Sequence, residues 1–91
     1  MAGVSVEGAV VVQAIGLCQR SIEQFNGAAQ KLNRQYRDAG TRWNDSKYQQ
    51  LGGIVGDCTQ ALQKPVSQLQ DCISKLTELQ RAIEAYEQVN L

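Results

Sequence analysis

Cys18, Cys58 and Cys72 are the strongest nucleophiles and the softest metal ligands in this chain, which contains no histidine. A closed zinc site takes four thiolate or imidazole ligands, usually at tight spacing, and no two of these cysteines form a Cys-x-x-Cys pair. Thiol catalysis needs a partner base, and imidazole, the commonest, is missing. The carboxylates Glu23, Asp38, Asp57, Asp71, Glu78, Glu84 and Glu87 are strung out without the spacing of an oxygen-ligand loop. Gly52, Gly53 and Gly56 do not make a phosphate loop, because no Lys-Ser or Lys-Thr follows and no strand precedes them. These residues predict no catalytic, cofactor or metal site, and a protein that is not an enzyme.

The elements that carry the cysteines point elsewhere. Ile15, Cys18, Ile22, Phe25, Ala29, Leu32, Tyr36, Ala39 and Trp43 recur at alternating steps of three and four, continuing a phase set by Val11. The same alternation runs from Tyr48 through Leu51, Val55, Cys58, Leu62, Pro65, Leu69, Cys72, Leu76, Leu79, Ile83 and Tyr86. Two heptad stripes around a short polar turn predict one all-α domain, an antiparallel helical hairpin. Helix one is expected over about 7–39, the turn over 40–45 and helix two over about 46–89. Gly40 suits a left-handed position just past helix one, and Asn44, Asp45 and Ser46 suit an N-cap. Pro65 predicts a kink in helix two. A rival parse starts that helix at Asp57 with a capping box to Gln60, but it leaves a loop too long for so small a protein. The glycines within the helices lower helix propensity, so they predict either close approach of another backbone or frayed ends.

All three cysteines fall on the predicted seam, where a thiol behaves as a small hydrophobe. The alternative is a Cys18–Cys72 disulfide leaving Cys58 free, because the hairpin brings those two to similar heights. Val11, Ile15, Ile22, Phe25, Leu32, Leu62, Leu69, Leu76, Leu79 and Ile83 are the expected interface residues of the seam. Val10, Ala14 and Leu17 widen the stripe on helix one, and Ile54, Ala61, Val66, Ile73, Ala82 and Val89 widen it on helix two, Ile73 adding to the interface set. A two-helix hairpin cannot cover so broad a stripe, so a partner is expected, most simply a second hairpin completing a four-helix bundle as a dimer. Trp43, the single tryptophan, is expected to anchor the loop end of the seam.

The formal net charge is zero, which argues against a nucleic-acid or anionic-membrane footprint. The arginines near the turn stand among Asp38 and Asp45 and read as a solvated helix end. The apolar run 9–12 ends at Gln13, far short of the ~20 residues that span a bilayer, so membrane insertion is not expected. No secretory signal is read at Met1–Val6.

A chain of this length, with two amphipathic helices and a tryptophan at the central bend, resembles the WXG proteins, the early secretory antigenic target-like substrates of bacterial type VII secretion. The family's Trp-x-Gly reads Trp43-Asn44-Asp45 here, and Leu51 falls where the family places a large apolar or aromatic residue. The likeness runs from about Gly8 to Val89. It implies a four-helix dimer with itself or a related small helical protein, secretion without a cleaved signal peptide, and work as an export substrate or companion of a larger secreted effector, in contact with a secretion ATPase. The family's C-terminal signal is a tyrosine followed four residues later by an acidic residue; Tyr86 is present, and Asn90 occupies the acidic place. The competing readings are a cytoplasmic adaptor or chaperone for a larger helical partner, and a structural coiled-coil piece of an assembly.

Overall fold

Residues 5–89 are described by the structure, a computed structural model, and they form two helices, α1 over Val6–Ala39 and α2 over Ser46–Val89. Ser5 starts α1: its backbone is extended (φ −62°, ψ 161°) and its hydroxyl accepts a hydrogen bond from the Gly8 N–H at 3.0 Å, satisfying one of the orphan donors of the first turn. Glu7 in that turn and Arg37 in the last complement the helix dipole.

The end of α1 differs from the expectation. Gly40 has φ −64° and ψ −15°, right-handed values open to any residue, and no glycine among the described residues has a positive φ. The chain leaves the helix by tightening. Thr41 donates its N–H to the Asp38 carbonyl at 3.3 Å, and Arg42 and Trp43 donate to the Ala39 carbonyl at 3.1 and 3.0 Å. The orphan carbonyls of the last turn are thereby paired without a left-handed residue.

α2 begins at Ser46 rather than at Asp57 and stays helical through Pro65. The two helices pack along their length as an antiparallel hairpin, and no strand occurs among the described residues. The molecule is a rod of 69 × 19 × 12 Å with a radius of gyration of 20.5 Å, where a compact chain of this length has about 12 Å. Its core is thin. The buried apolar residues are Val11, Ala29, Val55 and Val66, and no large side chain is wholly buried.

On α1 the seam falls where the periodicity puts it: Val11 is buried, and Ile15, Cys18, Ile22, Phe25, Leu32 and Tyr36 are half-buried. On α2 half of the seam is corrected. Val55, Leu62, Leu69, Leu76 and Ile83 face α1 as expected, but their seam neighbours are Gly52, Thr59, Val66, Ile73, Gln80 and Glu87, all buried or half-buried. Cys58, Cys72, Leu79 and Tyr86 are exposed instead. Both sets sit at heptad spacing beside Val55–Ile83, so periodicity cannot separate them. The turn separates them, because Gly52 lies beneath Tyr36. A Cβ at Gly52 would stand 2.8 Å from Tyr36 Cζ and closer still to its hydroxyl, so this glycine lets α2 roll its 52–59–66 edge onto α1.

Candidate functional site

Two features could serve function: the aromatic clasp at the turn and the apolar stripe that α2 leaves outside the hairpin. The clasp joins the helices. Tyr36 near the end of α1 and Tyr48 near the start of α2 stack with ring centroids 4.4 Å apart and planes 7° from parallel. Tyr48 donates its hydroxyl to the Tyr36 carbonyl at 2.7 Å. Each ring also rests over a glycine of the other element, Tyr36 over Gly52 and Tyr48 over Gly40. Gly40 is therefore needed for space rather than for its backbone freedom.

Burial pushes the Tyr48 phenol above its ordinary value, with its hydrogen bond to Tyr36 and the neighbouring phenol acting the same way. The folded state therefore holds this proton more tightly than the unfolded chain. Stability from this source is intact below the unfolded phenol's pKa of about 10 and is lost as pH rises above it. Tyr48→Phe should lower the melting temperature at neutral pH and flatten the alkaline limb of a melting-temperature profile. An alkaline limb as steep as that of the parent would place the alkaline-sensitive group elsewhere.

Trp43 lies outside α1, in the turn, 39% exposed, with its ring tilted 53° against Tyr48 at 5.7 Å. Its indole N–H donates to Asp45 Oδ1 at 2.7 Å, and the same oxygen accepts the Tyr48 N–H at 3.0 Å. Asp45 thus caps α2 and pins the indole with one atom. Asn44 is exposed beside it. The better-covered anchor of the loop end is the half-buried tyrosine stack, against which the more exposed Trp43 leans. At the far end Tyr86 is 70% exposed, a rod's length from Trp43, and Asn90 lies outside the described residues.

The cysteines do not assemble a site. All three are free thiols, Cys18 half-buried on the seam and Cys58 and Cys72 exposed, so Cys72 does not face Cys18 across the seam as its heptad position suggested. Among the described residues no three Cys, Asp or Glu side chains converge on a point that could hold a metal ion, and no helix is long and apolar enough to cross a membrane. The ion pair Lys75–Asp71 at 3.2 Å is largely exposed and contributes little.

The glycines of the helices divide by environment. A Cβ at Gly53 or Gly56 would meet nothing within 4 Å, so alanine at either should raise stability by about 0.5–1 kcal/mol through helix propensity. Gly52→Ala should do the reverse, because the methyl displaces Tyr36 from its stack. Chemical denaturation of the three single variants checks this contrast, and a stabilised Gly52→Ala would show that Tyr36 yields freely.

What remains is the outer stripe of α2. Leu51, Ile54, Cys58, Ala61 and Pro65, then Cys72, Leu79, Ala82 and Tyr86, follow one another at heptad spacing and are interrupted by Gln68 and Lys75. Ile54 is 54% and Leu79 50% exposed. This set is more apolar than the 52–59–66–73–80–87 edge that α1 covers. Leu51 and Pro65 of this edge are half-buried and its other members are exposed, so the hairpin leaves most of its more apolar edge in solvent. No protein-family model, no curated protein and no solved structure matches the chain.

Proposed function

We propose that this chain is a non-enzymatic interaction protein whose work is done by the outer stripe of α2, which docks on another helical protein to complete a helical bundle. The observation that carries this reading is that the more apolar of the two α2 edges lies largely outside the hairpin, with Cys58, Cys72, Leu79 and Tyr86 exposed. A chain with no wholly buried large side chain and a long uncovered apolar stripe gains stability by burying that stripe against a partner. Ile54→Glu with Leu79→Glu tests it. The double variant should lose partner binding in a pull-down from the native host while keeping the helicity of the parent, and retained binding would move the interaction to another face.

Within that class we propose a WXG-type role in bacterial type VII secretion, as export substrate or effector companion, secreted without a cleaved signal peptide. The supporting observation is the tryptophan at the turn between two long helices, half-exposed and held in place by Asp45. The test is the amount of tagged chain in the medium of host cells with and without the secretion ATPase. Equal amounts would reject the export role and favour a cytoplasmic adaptor.

A further inference from the structure

The turn end of α1 carries a polar groove distinct from the outer stripe of α2. Gln30, Asn33, Arg34, Tyr36 and Arg37 line it, and its volume is about 510 Å³. Gln30, Asn33, Arg34 and Arg37 stand at i, i+3, i+4 and i+7, so they share one face of α1 over two turns. At ~1.5 Å per residue that face is about 10 Å long. Tyr36 forms a wall of the groove, and its ring is fixed by the 4.4 Å stack on Tyr48.

Every lining side chain carries an N–H or O–H donor, and none is a carboxylate. Among the described residues neither arginine reaches a carboxylate within ion-pairing distance. The acidic residues of the turn end are placed otherwise. Asp45 Oδ1 is taken by the Trp43 indole and the Tyr48 N–H, and Asp38 stands four residues from Arg34 without pairing with it. Residues 31–47 hold five basic residues against these two acidic ones, a net +3. The rod is 69 Å long and the Debye length is about 8 Å in physiological salt. A ligand in the groove therefore meets this local charge rather than the zero of the whole chain.

Two kinds of polyanion could answer it, and the surroundings favour one. A nucleic acid offers phosphates in unbroken succession and is held by a basic track that follows them. Outside residues 31–47 the chain has only four basic residues among seven acidic ones, so a longer phosphate run would meet repulsion. A short acidic stretch of polypeptide meets the groove alone. Each guanidinium can take one carboxylate bidentately. Arg34 and Arg37 are neighbours on the helix surface, with Cβ atoms about 5–6 Å apart, close to the ~7 Å between alternate side chains of an extended strand. The amides of Gln30 and Asn33 both donate and accept, which suits a peptide backbone, whereas a phosphodiester has no donor to offer them.

We infer that this groove binds an acidic segment of another protein, with Arg34 and Arg37 holding two of its carboxylates and Gln30 and Asn33 its backbone. The site lies on α1 and needs nothing from the outer stripe, so either reading can fail alone. Fluorescence anisotropy of labelled hexaglutamate with the full chain tests it, with hexaglutamine and hexathymidylate as comparison probes. Hexaglutamate should bind in physiological salt, more weakly as salt rises, and hexaglutamine should not. Arg34→Gln with Arg37→Gln should weaken binding about tenfold while keeping the parent's helicity, because glutamine is close to arginine as a helix former. Arg42→Gln with Lys47→Gln removes the same charge from the turn end but outside the groove, and should weaken binding no more than about twofold. Equal losses from the two pairs would assign the binding to the diffuse charge of the turn end and overturn the site. Tighter binding of hexathymidylate would overturn the peptide assignment, and no binding of hexaglutamate would overturn the inference outright.

Discussion

Val66→Asp is expected to abolish the hairpin, whereas Cys58→Asp is expected to leave it able to form. Val66 is 9% exposed on the edge of α2 that faces α1, and an uncompensated carboxylate there costs several kcal/mol. A small domain has only about 5–15 kcal/mol in total, and this one has an unusually thin core. Cys58 is exposed on the outer stripe, so an aspartate there stays hydrated in the single hairpin and, if the stripe docks on a second copy, acts on that association alone. The two variants separate by concentration. Helicity lost through weakened association returns as protein concentration rises, by mass action, while helicity lost through a broken seam does not. Circular dichroism of both variants over a hundredfold concentration range reads the difference. Equal damage at all concentrations would return Cys58 to the seam and restore the simple heptad register.

That register marks how far the sequence was legible. Both helices, the turn and the α1 seam from Val11 to Ala39 follow from heptad spacing and capping residues, because those signals are local. The roll of α2 is not local. Val55, Leu62, Leu69 and Leu76 have an apolar or small neighbour on both sides, Ile83 has only Gln80 and Glu87 on one of them, and hydrophobicity alone favours the side with Leu51, Cys58, Cys72 and Leu79. The opposite side is buried because Tyr36 seats on Gly52, a contact across the turn that no stretch of α2 discloses by itself. The legible signal was the pairing of a tyrosine and a glycine on each side of the bend: Tyr36 with Gly40 before it, Tyr48 with Gly52 after it. Read as space for a ring rather than as helix breaks, those glycines give the roll, and with it the identity of the uncovered stripe. Trp43 misled for a related reason. Its phase continues α1, but the helix ends at Ala39, and phase carries no meaning past the last helical residue.

Tyr36→Ala is expected to cost about 2–4 kcal/mol, within the range for removing a packed aromatic ring, and Trp43→Ala only about 1 kcal/mol. Tyr36 contributes the stack with Tyr48 and the seat on Gly52, so its loss frees both helix ends. Trp43 keeps more than a third of its surface in water, and its bond to Asp45 is solvated, so water replaces much of what alanine removes. Denaturant midpoints of the two variants test the order, and a larger loss for Trp43→Ala would make the indole the structural anchor after all. The order also decides what Trp43 can reveal about function. A tryptophan that contributes little to folding, yet is held in one orientation by Asp45 at the tip of the rod, is suited to being read by another protein. Trp43→Phe keeps most of the ring and removes the N–H that Asp45 fixes. If the type VII reading is right, that variant should keep the parent's helicity and native mass while the amount exported falls at least tenfold. Unchanged export with unchanged folding would leave Trp43 a minor brace of the turn and move any recognition signal elsewhere on the chain.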